Sequence, residues 1–242
     1  MYLLIVIGSL LLSVVAGGFF VTSLHRANKT QLIKILLAFS GGFLLSIAFN
    51  HFIPELYHEG KKGIGMYILL GFLIQLLLEF FSGGIEHGHV HVHKGQRMPW
   101  GLFISLSVHS VLEGIPLGNE IAMSASAHAH EHGHSLLLGI LFHQMPVSIA
   151  LMTLLIHSNL NLKQSWLILL LFGIMTPLGV VFGSVSPQNS ALLNPQIILA
   201  IVVGMFLHIS TTIIFETSEN HRVNLIKLSA VIAGIGLALL VN

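Results

Sequence analysis

The stretch His109-Ser110-Val111-Leu112-Glu113-Gly114-Ile115-Pro116 decides how this chain is read. It lies inside an apolar run from Pro99 to Ala122, long enough to cross the roughly 30 Å hydrocarbon core of a bilayer as a helix. A helical spacing of four puts His109 and Glu113 on one face, one turn apart. A carboxylate at the centre of such a span costs about 3 kcal/mol or more unless it lines a cavity or meets partners. The run therefore predicts a membrane helix whose polar face turns toward other protein, with Glu113 as a functional residue.

Working outward, the whole chain has the same character. Of its 242 residues, 54% are hydrophobic and 8% are charged, against about 25% charged in an ordinary soluble domain. That supply cannot cover a water-facing surface. Apolar runs predict eight spans: Met1–Thr22, Leu32–Phe52, Ile64–Phe81, Pro99–Ala122, Ser135–His157, Trp166–Phe182, Pro195–Phe215 and Val223–Val241. The runs are continuously apolar rather than alternating, which excludes a β-barrel and leaves helices as the spanning form. The predicted fold is an all-α integral membrane protein with eight transmembrane helices, forming a single domain over 1–242. The first run starts at Met1 without a basic segment or a small-residue cleavage site, so it is expected to remain as a helix.

Charge placement sets the expected orientation. Arg26, Lys29, Lys34, Lys94, Arg97, Lys163, Arg222 and Lys227 belong to the odd-numbered loops, and only Lys61 and Lys62 to the even ones. By the positive-inside rule, both termini are non-cytoplasmic in a multi-pass protein of the plasma or inner membrane. A net charge of +1 offers no polybasic surface, so the bilayer, not nucleic acid, is the expected macroscopic partner.

Two segments are rich in histidine. A cytosolic loop at about 83–98 contains His87, His89, His91 and His93, and an external loop at about 119–134 contains His128, His130, His132 and His134. Imidazoles alternating with small residues suit loose gathering of a borderline metal ion. The chain has no cysteine and no aspartate, so any ion must be held by histidine, by the nine glutamates or by carbonyl groups.

A second central motif lies in span five, His143-Gln144-Met145-Pro146-Val147-Ser148. Each central helix thus carries a histidine and, a few residues on, a proline that withholds a backbone donor. His109, Glu113 and His143 together supply two imidazoles and one carboxylate, a set suited to an accessible divalent ion, with water, Gln144 or Ser110 completing the shell. Other ligand types are strung along the spans: His51 with Glu55 in span two, and His208 with Glu216 in span seven. These are candidates for a path, while Glu79 and His157 are expected at the membrane interface. Gly42 to Glu55 and Val203 to Glu216 also share a pattern, an apolar run passing a histidine and ending in glutamate. Because these two spans cross in opposite directions, the pattern suits an inverted repeat of three helices on either side of a central pair.

These residues resemble the ZIP (zinc/iron-regulated transporter-like) family of metal transporters. The resemblance rests on His109, Glu113 and Gly114 in span four, His143 and Pro146 in span five, and His51, Pro54 and Glu55 in span two. Thr176-Pro177-Leu178-Gly179 and Gly204-Met205-Phe206-Leu207 are similar to the family's sixth and seventh helices. The resemblance implies a divalent cation transporter rather than an enzyme, moving metal toward the cytoplasm as the central helices shift with the first and sixth. Zn²⁺ is the expected cargo, with Fe²⁺, Mn²⁺, Co²⁺ or Cd²⁺ as other cargoes of the same class; a homodimer is left open. Ser110 and Gln144 stand where many members have Asn, and Val147 where many have an acidic residue. With those carboxylates missing, one central ion is expected instead of two. The alternative is an intramembrane zinc-dependent hydrolase, against which stand the absence of aspartate and of a third histidine beside a serine nucleophile.

Overall fold

A computed structural model describes residues 1–23, 29–58, 62–82, 100–123, 130–186, 194–215 and 225–241. The helices are α1 (Tyr2–Ser23), α2 (Lys29–Ile47), α3 (Ile53–His58), α4 (Ile64–Ser82), α5 (Trp100–Met123), α6 (His130–His157), α7 (Leu162–Val185), α8 (Pro195–Phe215) and α9 (Leu225–Val241). A π-helical turn, Ala48–Phe52, joins α2 to α3, so the two form one long second span. Seven helical segments are long and apolar enough to cross a membrane. The eighth, α9, has 17 residues and reaches about 26 Å, slightly short of the hydrocarbon core.

Local chemistry explains several boundaries. Asn161 starts α7 four residues before the expected Trp166 by a capping box: its Oδ1 accepts from the Gln164 N–H at 2.9 Å, and Gln164 Oε1 accepts from the Asn161 N–H at 3.0 Å. Asn194 opens α8, its Oδ1 accepting from the Gln196 and Ile197 N–H groups, with Pro195 in the first turn where its missing donor costs nothing. The widened turn before α3 precedes Pro54, which cannot donate to the carbonyl a turn behind it; the Ile53 N–H instead bonds Ala48 O. The external segment expected as a loop from 119 to 134 is partly helical. Helix α5 continues to Met123, because Leu117 and Asn119 are buried and nothing after Pro116 breaks it, and α6 already begins at His130.

Packing groups the helices into two bundles, which meet where α2 lies on α6 and α4 on α5. In one, α5 lies on α7, α1 on α6 and on α7, and α6 touches both α5 and α7; in the other, α2 lies on α9 and α8, and α4 on α8. This pattern follows the expected repeat. Exchange α1 with α7, α2 with α8, α4 with α9 and α5 with α6, and the contact of α5 with α7 becomes that of α6 with α1, while α2 with α9 becomes α8 with α4. Glycines make the tightest of these contacts. A Cβ on Gly71 or Gly204 would strike a backbone carbonyl across the α4–α8 crossing, and one on Gly42 or Gly234 would do so across α2–α9. With no hydrophobic drive between helices in lipid, such backbone approach supplies much of the association energy.

Apolar side chains cover the outside of the molecule, and a set of polar ones is buried within its largely apolar core. Leu69, Leu70, Leu73, Leu76 and Leu77 of α4 and Leu167, Leu170, Leu171 and Ile174 of α7 are exposed, whereas Gln75, His109, Glu113, His143, Gln144 and Thr176 are buried. That inversion is what a lipid environment selects.

Candidate metal centre

The buried polar residues converge where α5 meets α6. His109, Glu113 and His143 each offer a ligand atom, and these atoms lie within 4.8 Å of one another. Ligands on one zinc ion sit about 3 to 4 Å apart, so a small rotation of side chains closes the group on an ion. Only 2–3% of each residue is exposed. His109 Nε2 lies 2.7 Å from Glu113 Oε1, close enough for the two atoms to share a proton or a cation. The His109 and His143 rings stand edge to face, 5.9 Å between centroids. Helix α5 presents its pair by the turn-apart spacing that the sequence dictates, and α6 brings His143 from the facing helix.

The other nitrogen of His109 is held from outside this pair. His109 Nδ1 lies 2.8 Å from Gln75 Oε1 of α4, and Gln75 has no exposed surface. Ser105, one turn before His109 on α5, donates to the carbonyl of Leu78 on α4.

Of the two residues expected to complete the shell, Ser110 is buried beside the pair, and Gln144 is engaged elsewhere. Its Nε2 donates to Thr176 Oγ1 of α7 at 3.0 Å, and its Oε1 accepts from Ser13 Oγ of α1 at 3.3 Å. Gln144 thus ties three helices of one bundle together. Val147 is buried in an apolar cluster to which both bundles contribute.

The path candidates fall toward the two ends of the molecule. Glu55 lines a cavity of about 240 Å³ with Glu120, Asn119 and Gln196, and the cavity also touches Pro116, one turn from Glu113. Glu120 was not singled out in the sequence because it sits beside the expected end of its span; only its place seven residues beyond Glu113, near the same helix face, hinted at it. His51 lies in the π-helical turn of the same span, its ring against Phe52. His208 of α8 pairs through Nε2 with Glu79 Oε2 of α4, under the edge of Phe72. Glu79, expected at the membrane interface, is partly buried against this histidine, 129 residues away in sequence. His157 is partly buried and bonds through Nδ1 to the Thr153 carbonyl of its own helix. Glu216 and His87, His89, His91 and His93 lie outside the described residues.

A family model described as ZIP zinc transporter matches residues 83–242. The chain is 29% identical over 160 residues to the protein zntD of Dictyostelium discoideum, covering 58% of this chain and 22% of that protein. It is 29% identical over 136 residues to zinc transporter ZIP1 of Danio rerio, covering 53% and 42%, and 21% identical over 260 residues to zinc transporter ZIP1 of Homo sapiens, covering 87% and 78%. The chain spans between 20% and 42% of the length of the first four relatives it matches. The family match takes in both central helices and every helix after them, and this chain belongs to the ZIP zinc transporter family.

Proposed function

We propose that this chain carries a divalent metal ion, Zn²⁺ first among them, across the bilayer toward the cytoplasm, binding it at His109, Glu113 and His143. The observation that carries this reading is the convergence of two imidazoles and one carboxylate, all buried, from the two central helices. Two imidazoles ligate without adding charge and Glu113 contributes one negative charge, so a bound dication retains a net single positive charge. A dry site tolerates that far better than a bare ion, yet the set is small enough to release its cargo. Fe²⁺, Mn²⁺, Co²⁺ and Cd²⁺ share enough ligand chemistry to compete. The zinc transporters foi and ZIP1 among its relatives favour the carrier over the intramembrane hydrolase only by their names; the ligand set itself serves a cargo as well as it would an activated water.

The same reading supplies a route. Glu55 and Glu120 collect the hydrated ion in the cavity above Pro116, and Glu120 stands about 10 Å along α5 from Glu113. Glu79 and His208 lie on the opposite side, on α4 and α8, on the way to the histidine-rich segment that follows Ser82. Alternating access follows if the bundle of α1, α5, α6 and α7 moves against the other. The test is zinc uptake by the purified chain in sealed proteoliposomes, with the other four metals as competitors. Accumulation inside the vesicles supports the reading; metal binding without flux contradicts it.

A further inference from the structure

We propose that Gln75 is a positioning residue that fixes the tautomer of His109 so that Nε2 faces the metal, and that it does this from the opposite helix bundle. This rests on the binding site proposed above and adds to it a residue from a helix that contributes no ligand.

A neutral imidazole carries one N–H and one lone pair, and the hydrogen bond at one nitrogen decides which is which. A carboxamide oxygen only accepts. Gln75 Oε1 at 2.8 Å from His109 Nδ1 therefore places the proton on Nδ1 and leaves the lone pair on Nε2. Nε2 is the atom 2.7 Å from Glu113 Oε1, in the group where His143 also offers a nitrogen. The opposite arrangement, with the Gln75 amide donating, would put the proton on Nε2 and close that nitrogen to a metal.

Burial gives the contact its weight. Gln75 is 0% exposed and His109 3%, so no solvent competes for Nδ1. Around it α4 is a lipid-facing helix, with Leu73, Leu76 and Leu77 about half exposed. Leucine or methionine would suit packing at position 75 better than an amide, which in this setting costs free energy unless it is hydrogen-bonded. The amide is accounted for by its partner.

The location adds a second consequence. Helix α5 is locked to α7, where a Cβ on Gly114, Gly118, Gly179 or Gly183 would strike the backbone of the other helix, and α4 is locked to α8 through Gly71 and Gly204. Between α4 and α5 the approach is looser: a Cβ on Gly101 would sit at an ordinary 3.5 Å from the Phe81 carbonyl. The bonds of Ser105 to Leu78 and His109 to Gln75 stitch this seam. A displacement of one bundle past the other breaks the Gln75 bond and frees the His109 ring, so the ligand is oriented only while the bundles hold the arrangement seen here.

The experiment uses the full chain with zinc as the probe. Gln75→Met keeps length and removes the acceptor; Gln75→Glu keeps the acceptor and strengthens it. Loss of a partner one step behind a metal-binding histidine weakens metal affinity by about 10- to 100-fold, so Gln75→Met should raise the KM for zinc uptake at least about tenfold. Gln75→Glu should restore KM to near the native value while lowering the maximal rate, because a charged latch is harder to break. In a His109→Ala background, Gln75→Met should add nothing. ¹⁵N NMR of histidine-labelled, metal-free protein, with His109 assigned by difference from His109→Ala, should show a proton on Nδ1 whether or not Nε2 shares one with Glu113, and that Nδ1–H should be lost in Gln75→Met. That readout stands even if the chain moves no zinc, so a failure of the transport reading is told apart from a failure of this one. An unchanged KM in Gln75→Met, a Gln75→Glu variant as weak as Gln75→Met, or an Nε2–H tautomer in the native chain would overturn the positioning role. An undiminished maximal rate in Gln75→Glu would overturn the link to bundle movement.

Discussion

The crossing of α5 on α7 and that of α1 on α6 are images of each other under the internal repeat, yet they are built differently. In the first, Gly114 and Gly118 meet Gly179 and Gly183 so closely that any Cβ would strike backbone. In the second, Gly17 is the glycine in close approach, its nearest neighbour being the Ser148 side chain, and Ser13 donates to Gln144 Oε1 across the same crossing. The rigid crossing carries the helix with His109 and Glu113; the softer one carries the helix with His143 alone. A repeat can thus preserve topology while the chemistry of its halves diverges. Here the carboxylate of the proposed site lies on the crossing with the closer backbone contact.

The largest effect expected from breaking this asymmetry is at the ligand itself. Glu113→Ala should reduce zinc uptake by proteoliposomes to background, since it removes the carboxylate of the ligand group and leaves a dication facing neutral imidazoles. His109→Ala and His143→Ala should each weaken uptake strongly; a silent one would mean that its helix supplies no ligand.

Next comes the crossing. Gly114→Ala forces a Cβ onto the Thr176 carbonyl, and overpacking of this kind costs about 1–3 kcal/mol. Gly17→Ala meets first a hydroxyl that can rotate, so its loss in thermal midpoint should be the smaller of the two. Equal losses would erase the distinction between the crossings.

A smaller effect is expected at Gln144. Polar contacts between membrane helices average about 0.6 kcal/mol, so Gln144→Ala should lower the thermal midpoint slightly and leave zinc stoichiometry unchanged, its amide being bonded to Ser13 and Thr176. Loss of the bound ion would make Gln144 a ligand after all. The smallest effect on flux belongs to the histidine-rich segment: deleting His87 to His93 should leave directional uptake intact and alter its apparent affinity. Complete loss of uptake in a folded deletion variant would make the segment part of the obligatory path.

How much of this was legible beforehand varied with the range of the interaction. The spans could be read because a bilayer demands continuous apolar runs, and the pairing of His109 with Glu113 because helical geometry alone sets residues four apart on one face. The repeat was visible faintly in spans two and seven, where Gly42 and Gly204 turn out to do equivalent work at α9 and α4. Contacts that depend on how helices are arranged could not be read. Gln75 and His109 are 34 residues apart, and Glu79 and His208 are 129 apart; nothing local in α4 announces either partner. The engagement of Gln144 with Ser13 and Thr176 was hidden for the same reason, since both partners lie on other helices.

The most direct test is to count and identify the ion's ligands. In a chain with the histidines of 87–93 and 128–134 exchanged for serine, zinc bound per chain is measured and its shell read by X-ray absorption. The account predicts one ion, with two imidazole nitrogens and carboxylate oxygen at about 2.0–2.2 Å, and loss of that ion in Glu113→Ala. Two ions per chain, a shell with a single imidazole, or an ion that survives Glu113→Ala would contradict it.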